Sequence, residues 1–349
     1  MNYRDDLVKE RLAFLSQEPE KLRQSRGRDL YDTLDALGLT HGQFFRALGT
    51  NVADYCAQEF GIDLSRITVD RFFQSDPNAK WLFPDVVREA VLAGLKRKPV
   101  YPELIIRDEA VHGTAYDVPY VQESSAEEEL RTVAEGAAIP ESEITYGNRI
   151  VRLDKKGRGV VASYEVIRRM SVDMLRVHLQ RIGERLGRNL DARLAKVLVD
   201  GDSSGSGTAA ASINTATSGA WAYADIVKGF MTLTLDKYFT PTHMLANSEL
   251  AQTILGLAEF KDAALFDFAK TGNLPTPLGV RLVPMVDQPE DKLTILDAGY
   301  AVQKLTEQDL LVESDKLIHQ QWDRTYLTVV TDFAIIYQDA RVVVRSDWS

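Results

Sequence analysis

Cysteine is almost missing from this chain. Cys56 is the only one in 349 residues, so no disulfide can form within the chain, and a reducing compartment is the expected environment. The residue lies in a helical pattern beside Ala53 and Phe60. That setting predicts a buried thiol that packs as a small apolar side chain.

Long apolar runs are missing too. A membrane-spanning helix needs about 18 or more consecutive apolar residues, and the sequence contains no such run. The first residues, Met1 to Asp6, lack the apolar core of a signal peptide. We therefore expect a protein without a membrane partner.

Positive charge is in deficit. The net charge is −10, which argues against a nucleic-acid-binding surface over the whole chain. Residues 1–100 carry equal numbers of acidic and basic side chains, so all of the excess acid follows residue 100.

Motifs for catalysis and ligand binding are also lacking. The sequence has no dinucleotide-binding or phosphate-binding glycine motif, no His-Glu-x-x-His and no Cys-x-x-Cys. Its five histidines are scattered singly, and the acidic run Glu127–Glu129 is typical of a solvated face. These absences predict no catalytic residue, no cofactor and no metal site, so the protein is not expected to be an enzyme.

One loop keeps a remote alternative open. Gly201-Asp202-Ser203-Ser204-Gly205 is similar to the loop around the nucleophile of trypsin-like serine proteases, except that the fourth position there is glycine. A triad would also need a histidine and an aspartate nearby in space. The Gly/Ser/Thr-rich composition favours a flexible linker, and a soluble hydrolase is the remote alternative.

What the chain does have is one very long helical pattern. It runs from about Tyr164 to Val199 without proline, and its apolar residues recur at steps of three to five. Some 36 residues would make a rod of about 54 Å, against a mean helix of about 12 residues. Such a rod is poor geometry for a pocket and suits a tile that reaches its neighbours.

Two short β-patterns precede this helix. Ile150–Asp154 and Gly157–Ser163 flank Lys155 and Lys156, which predicts a hairpin with the two lysines at its tip. The first 98 residues look helical, and from Ala301 onward strand patterns dominate. The sequence therefore predicts an α+β fold.

Several of these segments, in this order, resemble a known family. Val133–Ser142, then Ile144–Gly147, the two β-patterns, Ser163–Arg169 and the long helix to Asp202 are similar to the centre of tailed-phage major capsid proteins of the Hong Kong 97 type. Leu274–Val280, Leu296–Tyr300 and Phe333–Val344 are similar to later strands of that family, so the resemblance covers roughly Tyr101 to the C-terminus.

The resemblance implies a Hong Kong 97-like fold with an N-terminal arm, an extended E-loop, a peripheral (P) domain with a long spine helix, and an axial (A) domain. The implied segments are a helical N-terminal arm or extension (1–100), P-domain strands and lead-in (101–132), the E-loop (133–163), the P-domain spine helix (164–201), the A domain (202–325) and a closing P-domain β-segment (326–349). In this family a scaffolding segment sometimes precedes the arm and is removed, so retention or cleavage of the first hundred residues stays open.

The implied function is that of a major capsid protein. Copies would assemble into hexamers and pentamers of an icosahedral shell around phage double-stranded DNA, bound without sequence specificity. Scaffold, portal and decoration proteins are further partners that the resemblance implies, with assembly in the host cytoplasm and the virion as the final location. An encapsulin-like nanocompartment shell around protein cargo is the alternative.

The E-loop and the spine helix are the segments expected to contact neighbouring subunits. The predicted contact residues are Ile139, Ile144, Ile150, Val151, Leu153, Lys155, Lys156, Glu165, Arg168, Arg169, Arg181 and Arg185. Some members of the family cross-link an E-loop lysine to an asparagine of a neighbour. The sequence has no asparagine after Asn273, so we expect non-covalent assembly.

Overall fold

The computed structural model contains both helices and strands, which confirms the α+β prediction. The structure describes residues 28–36, 44–45, 49–97, 99–121, 133, 144–205, 208–260, 278–317 and 322–348. The chain divides into two compact units, each built from three separate stretches. Unit 1 comprises 1–98, 157–187 and 310–328, and unit 2 comprises 99–156, 188–309 and 329–349.

The helices are concentrated in the first hundred residues and around the predicted rod. In the described residues the α-helices are α1 (Arg28–Ala36), α2 (Val52–Phe60), α3 (Val69–Ser75), α4 (Phe83–Leu95), α5 (Tyr101–Leu104), α6 (Tyr164–Arg169), α7 (Val172–Asp200), α8 (Tyr223–Met231) and α9 (Ser248–Leu255). A π-helix follows α8 at Thr232–Asp236, and short 3₁₀ turns occupy Ala79–Leu82 and Gln338–Ala340.

The strands of the described residues form three sheets. They are β1 (Asp108–Ala110), β2 (Ala115–Val121), β3 (Ile144–Arg152), β4 (Asp154–Ser163), β5 (Ala211–Asn214), β6 (His243–Ala246), β7 (Arg281–Pro284), β8 (Lys292–Leu296), β9 (Val302–Leu317), β10 (Trp322–Ile335) and β11 (Arg341–Arg345). The strand orders are β1-β9-β10-β4, β5-β11-β8-β6-β7 and β2-β3.

Unit 1 is built on an apolar core to which the N-terminal helices contribute most. Phe72, Cys56 and Val91 are fully buried there, together with Val172 and Leu179 from the start of α7. Cys56 is therefore the buried apolar residue that the sequence predicts, and burial raises the pKa of its thiol to about 12. The described N-terminal residues are thus largely helical and pack together in this core.

Unit 2 contains the five-stranded sheet with α8 and α9 packed on it. Ile226 of α8, Ile254 of α9 and Ile295 of β8 share one buried cluster. A Cβ atom on Gly229 would lie 2.6 Å from a methyl group of Val344, so only glycine permits this approach of α8 to β11. A second cluster joins the β2–β3 ribbon to Leu305 and Val330.

The predicted rod is two helices, and this corrects the sequence analysis. α6 ends at Arg169, Met170 is extended, and α7 begins at Val172. The Ser171 hydroxyl accepts a hydrogen bond from the Met174 amide at 3.2 Å, as an N-cap does. Ser171 also forms an antiparallel bridge with Thr68. The apolar periodicity continues through the break, so the helix pattern alone could not reveal it.

The predicted hairpin is also wrong. β3 pairs with the earlier strand β2, with Ala115 opposite Arg152, whereas β4 belongs to the sheet that contains β10. Leu153 separates the two strands, and its amide donates to the Thr114 carbonyl at 2.9 Å. Its side chain is buried at the point where the chain passes from one sheet to the other. Lys155 and Lys156 consequently lie within β4 and not at a turn.

Candidate assembly surfaces

The β2–β3 ribbon presents a divided face. Val151 and Leu153 are buried in the chain's own core beside Leu305 and Val330, so they do not offer a surface to another molecule, and we remove them from the predicted contacts. Ile150 is 46% exposed and points away from that core. The alternation follows from the strand period of two, which sends neighbouring side chains to opposite faces.

The two lysines of β4 differ in environment. Lys155 is exposed, whereas Lys156 is half-buried and its Nζ has no hydrogen-bond partner within the described structure. Burial lowers the pKa of Lys156, and the nearby Asp332 carboxylate opposes that shift. Partial burial disfavours the charged form of the Lys156 amine, so Lys156 is poorly suited to a surface ion pair.

The charged candidates on α6 and α7 are exposed. Glu165, Arg169 and Arg185 lie at the surface. Arg181 donates to Glu184 at 2.5 Å, and Arg97 donates to the other oxygen of the same carboxylate at 2.8 Å. These hydrogen bonds, that from Arg181 first, lower the pKa of Glu184. One carboxylate shared by two arginines leaves net positive charge on this face.

Three predicted contact residues cannot be placed fully. Ile139 lies outside the described residues. Ile144 opens β3 opposite Val121, and Arg168 lies in α6, but their side chains are outside the described part of the structure.

The sequence analysis missed a buried ion pair in unit 2. Arg193 of α7 donates from Nε and Nη2 to the two carboxylate oxygens of Asp332, both at 2.8 Å. The Asp332 side chain is fully buried, and it also accepts the Phe333 amide at 2.9 Å. A bidentate arginine–carboxylate pair fixes both position and orientation, so it ties the second half of α7 to β10.

A second buried network anchors the loop after α7. Asp202 accepts Nη2 of Arg149 and the Ile335 amide, each at 3.0 Å. Arg341 is fully buried and donates from Nε to the Leu198 carbonyl at 2.8 Å, and from its guanidinium to the Thr208 carbonyl. Desolvation lowers the pKa of Arg341 to about 10. The segment that composition marked as a flexible linker is thus fixed at Asp202 and Thr208.

A signal for these networks was present in the sequence. Asp332 interrupts the apolar run Val329–Ile336, and Arg341 precedes three consecutive valines. Arg193 lies between Leu190 and Leu194 on the apolar stripe of the helix. A charged residue inside an apolar pattern predicts a buried partner, because an unpaired buried charge is strongly unfavourable.

The serines of the 201–205 loop are engaged structurally. The Ser203 hydroxyl accepts the Arg152 amide at 2.9 Å and donates to the Arg152 carbonyl at 3.1 Å. The Ser204 hydroxyl donates to Asp202. The loop thus uses both hydroxyls to hold β3 and its own turn.

In the described residues, no helix is both long and apolar enough to cross a membrane.

The sequence of this chain matches a known protein family. A family model described as phage capsid protein matches residues 147–346, which is more than half of the chain. The chain belongs to the phage capsid protein family. It is therefore a shell protein of bacteriophage type, and its place is the virion. Among curated proteins, no sequence matches this chain.

Solved structures show the same fold at low identity. The capsid of a native GTA particle is 15% identical, with a TM-score of 0.54 over 72% of this chain and 89% of that one. A Mycobacterium phage Che8 structure is 14% identical, with a TM-score of 0.52 over 72% and 93%. A virus-like particle from Pyrococcus furiosus is 12% identical, with a TM-score of 0.50 over 75% and 98%. This capsid protein has the Hong Kong 97-type fold.

Proposed function

We propose that this capsid protein assembles into hexamers and pentamers of an icosahedral shell that encloses phage double-stranded DNA. The family match over residues 147–346 is the observation that carries the proposal. Relatives of the same fold form shells, and the coarser conclusion of self-assembly already follows from family membership. The proposal adds the symmetry of the capsomers and the nature of the cargo.

The β2–β3 ribbon supports an assembly in which each subunit completes its neighbours. A ribbon of two strands is marginally stable alone and gains stability when it packs on another surface. Its end near Val151 packs on the chain's own core, while Ile150 stays exposed. We propose that the ribbon beyond this point lies on an adjacent subunit. Repetition with closed symmetry would then bury more than about 2,000 Å² in obligate interfaces.

The surviving contact residues fall into two groups under this proposal. Ile144 and Ile150 belong to β3, and Ile139, which precedes them in the sequence, lies outside the described residues. Charge on β4, α6 and α7 comes from Lys155, Glu165, Arg168, Arg169, Arg181 and Arg185. The charged group would form rim contacts, which steer and orient partners more than they add affinity. Lys156, half-buried within β4, is the least suited of the predicted charged contact residues.

Enclosed DNA fits the acidic character of the chain. With a net charge of −10, the inner surface would hold the phosphate backbone loosely and without sequence specificity, which is compatible with packaging and release. Scaffold, portal and decoration proteins are proposed partners, with assembly in the host cytoplasm. We further propose non-covalent assembly, given that asparagine is absent after Asn273.

The test is to express the full chain alone and with its neighbouring virion genes, and to image the purified material by electron microscopy. Closed shells with fivefold and sixfold capsomers, together with nuclease-protected DNA in natural particles, are expected. Closed shells that contain only protein would establish the nanocompartment alternative. A stable monomer at high concentration would contradict assembly.

An Ile150→Asp variant tests the ribbon contact. Because the side chain is exposed in the subunit, the charge should leave the fold intact and block shell formation. Leu311→Asp, at an exposed position of β9, is the matched control. Normal shells from Ile150→Asp would remove the ribbon from the interface.

Dissociation of wild-type shells into single chains in denaturing gel electrophoresis would agree with non-covalent assembly.

A further inference from the structure

The N-terminal residues hold the break between α6 and α7 by backbone hydrogen bonds. The Val69 amide donates to the Met170 carbonyl at 3.1 Å, and the Val172 amide donates to the Ile67 carbonyl at 3.0 Å. The two bonds lie on either side of Ser171, which caps α7. A short antiparallel bridge therefore fixes the point at which the predicted rod divides.

A pair of glycines brings α4 unusually close to α7. A Cβ atom on Gly94 would lie 2.0 Å from the Gln180 carbonyl oxygen, and one on Gly183 would lie 2.0 Å from the Val91 carbonyl oxygen. Each helix thus presents a glycine to the backbone of the other. The Arg97–Glu184 ion pair follows at the end of α4. This crossing tolerates no larger side chain at either position without a shift of the backbone.

The same N-terminal residues cover the apolar face of α7. Val172 and Leu179 are buried against Phe72 and its neighbours, and Leu175, Ile182 and Leu186 are partly buried by the same core. α3 also lies against α6. If the N-terminal residues were removed, this row of large apolar side chains would become exposed to water, at a cost that scales with its area.

We infer that residues 49–97 form a permanent clamp, here called the N-terminal clamp, that fixes α6 on α7 and stays in the assembled shell. The inference rests on the proposed shell function for its setting. It decides a question that the family resemblance leaves open, because a removable scaffolding segment would not supply the core, the bridge and the helix crossing of the subunit. Any maturation cleavage must then fall before residue 49.

The clamp also assigns a role to the helix break. β4 runs directly into α6 through Ser163, whose hydroxyl accepts the Val166 amide. The clamp contacts both α6 and the start of α7. It therefore sets the direction in which the end of β4 enters α6. The clamp is therefore a positioning element for the end of β4 at Ser163.

A nicked shell tests retention. A recognition sequence for a site-specific protease is inserted between Lys98 and Pro99 of the full chain, and assembled particles are cut; a scrambled insert is the control. We expect the N-terminal piece to sediment with the shell after cutting. Peptides covering Val69 and Val172 should keep their protection from hydrogen exchange, about tenfold or more above that of the exposed residues Thr217 and Ser218.

Release of the N-terminal piece from shells that stay intact would overturn the clamp. So would a mass spectrum of natural mature particles in which the subunit begins after residue 49. The mass measurement needs no engineered variant, so it decides the question even where the insertion prevents folding. Shells that lack DNA but keep the full subunit would count against the proposed cargo and leave the clamp supported.

Discussion

The two units of the chain are stabilised by different kinds of interior. In unit 1, Asp85 is the one buried polar side chain among the described residues. Every other buried polar or charged residue that the structure describes lies in unit 2, including Asp202, Asp332 and Arg341. Unit 1 therefore depends on apolar packing and one glycine crossing, and unit 2 depends on packing together with buried charge pairs.

This difference predicts which amino-acid substitutions each unit tolerates. Apolar packing accepts substitutions that conserve volume, because many arrangements fill the same space. A buried charge pair specifies its partner, and the loss of one member leaves the other desolvated and unpaired. The family match, 147–346, contains both arginine–aspartate pairs of unit 2. We expect unit 2 to be the more sensitive unit to single charge-removing changes.

The largest effect should come from Asp332→Ala. The change leaves the Arg193 guanidinium without its bidentate partner, and removal of one member of a buried pair costs about 3–5 kcal/mol. Hydrogen exchange followed by mass spectrometry would measure the opening free energy of unit 2 amides and of unit 1 amides in the same sample.

A double variant is the control for this prediction. Arg193→Met with Asp332→Leu replaces both charges with apolar side chains, and such exchanges are often nearly neutral. We expect the double variant to recover most of the loss. A double variant as unstable as the single one would show that the charge pair is not the source of the sensitivity.

The next effect concerns unit 1 and the glycine crossing. In an open helix, Gly→Ala stabilises by about 1 kcal/mol. At Gly183 the new Cβ would lie 2.8 Å from the Leu95 amide nitrogen and closer still to Val91, so Gly183→Ala should destabilise unit 1 by about 1–3 kcal/mol.

The rate at which a maleimide labels Cys56 reports this opening, since the only thiol of the chain is buried in the unit 1 core. Asn189→Ala, at an exposed position of the same helix, is the matched control and should leave labelling unchanged. Slower labelling in Gly183→Ala than in the parent chain would contradict the close crossing.

Two conservative substitutions, one in each unit, should have smaller effects and compare the tolerance of the two units directly. Leu179→Met conserves volume in the apolar core of unit 1 and should cost less than about 1.5 kcal/mol. Asp332→Asn conserves shape in unit 2 but replaces a charged hydrogen bond, which is worth about 1.5–3 kcal/mol. Equal losses from the two variants, measured as opening free energies, would erase the distinction between the units.

The parts of this structure that the sequence predicted are those set by local patterns. Three helix ends carry residue types typical of such positions: Pro84 lies in the first turn of α4, Gly61 ends α2 with a φ of 65°, and the Asn247 side chain caps α9. The helix and strand patterns indicated the α+β class, and the resemblance of the segments between Val133 and Val344 to a known family indicated the capsid family. Each of these features depends on residues close together in the chain.

The predictions that were wrong concern features that depend on residues far apart in the chain. The helix break at Ser171 is held by Thr68, about a hundred positions earlier, and β3 pairs with β2 across a long connection. Side-chain periodicity carries no information on which distant strand is the partner. For the contact residues, the sequence indicated exposed candidates such as Ile150 but could not separate them from Val151, because burial depends on which face of β3 meets the core.

The smallest effect is a pH dependence confined to unit 2. His243 begins β6, and burial, then the positive charge of Arg281, lower its pKa, with Glu103 opposing the shift. The folded state thus favours the neutral imidazole, so the stabilisation is complete above the unfolded pKa of about 6.5 and is lost as the pH falls toward the folded value. Arg281 and Glu103 are themselves paired, with 2.5 Å between Nη1 and Oε2.

His243→Gln should remove this component. Between pH 7.5 and 5.5, the opening free energy of unit 2 amides should fall more steeply in the parent chain than in the variant, while unit 1 amides give the same slope in both. His112→Gln, at an exposed histidine of unit 2, is the matched control and should retain the parent slope. Identical slopes in the parent and His243→Gln would mean that burial at the start of β6 does not bias this imidazole toward its neutral form.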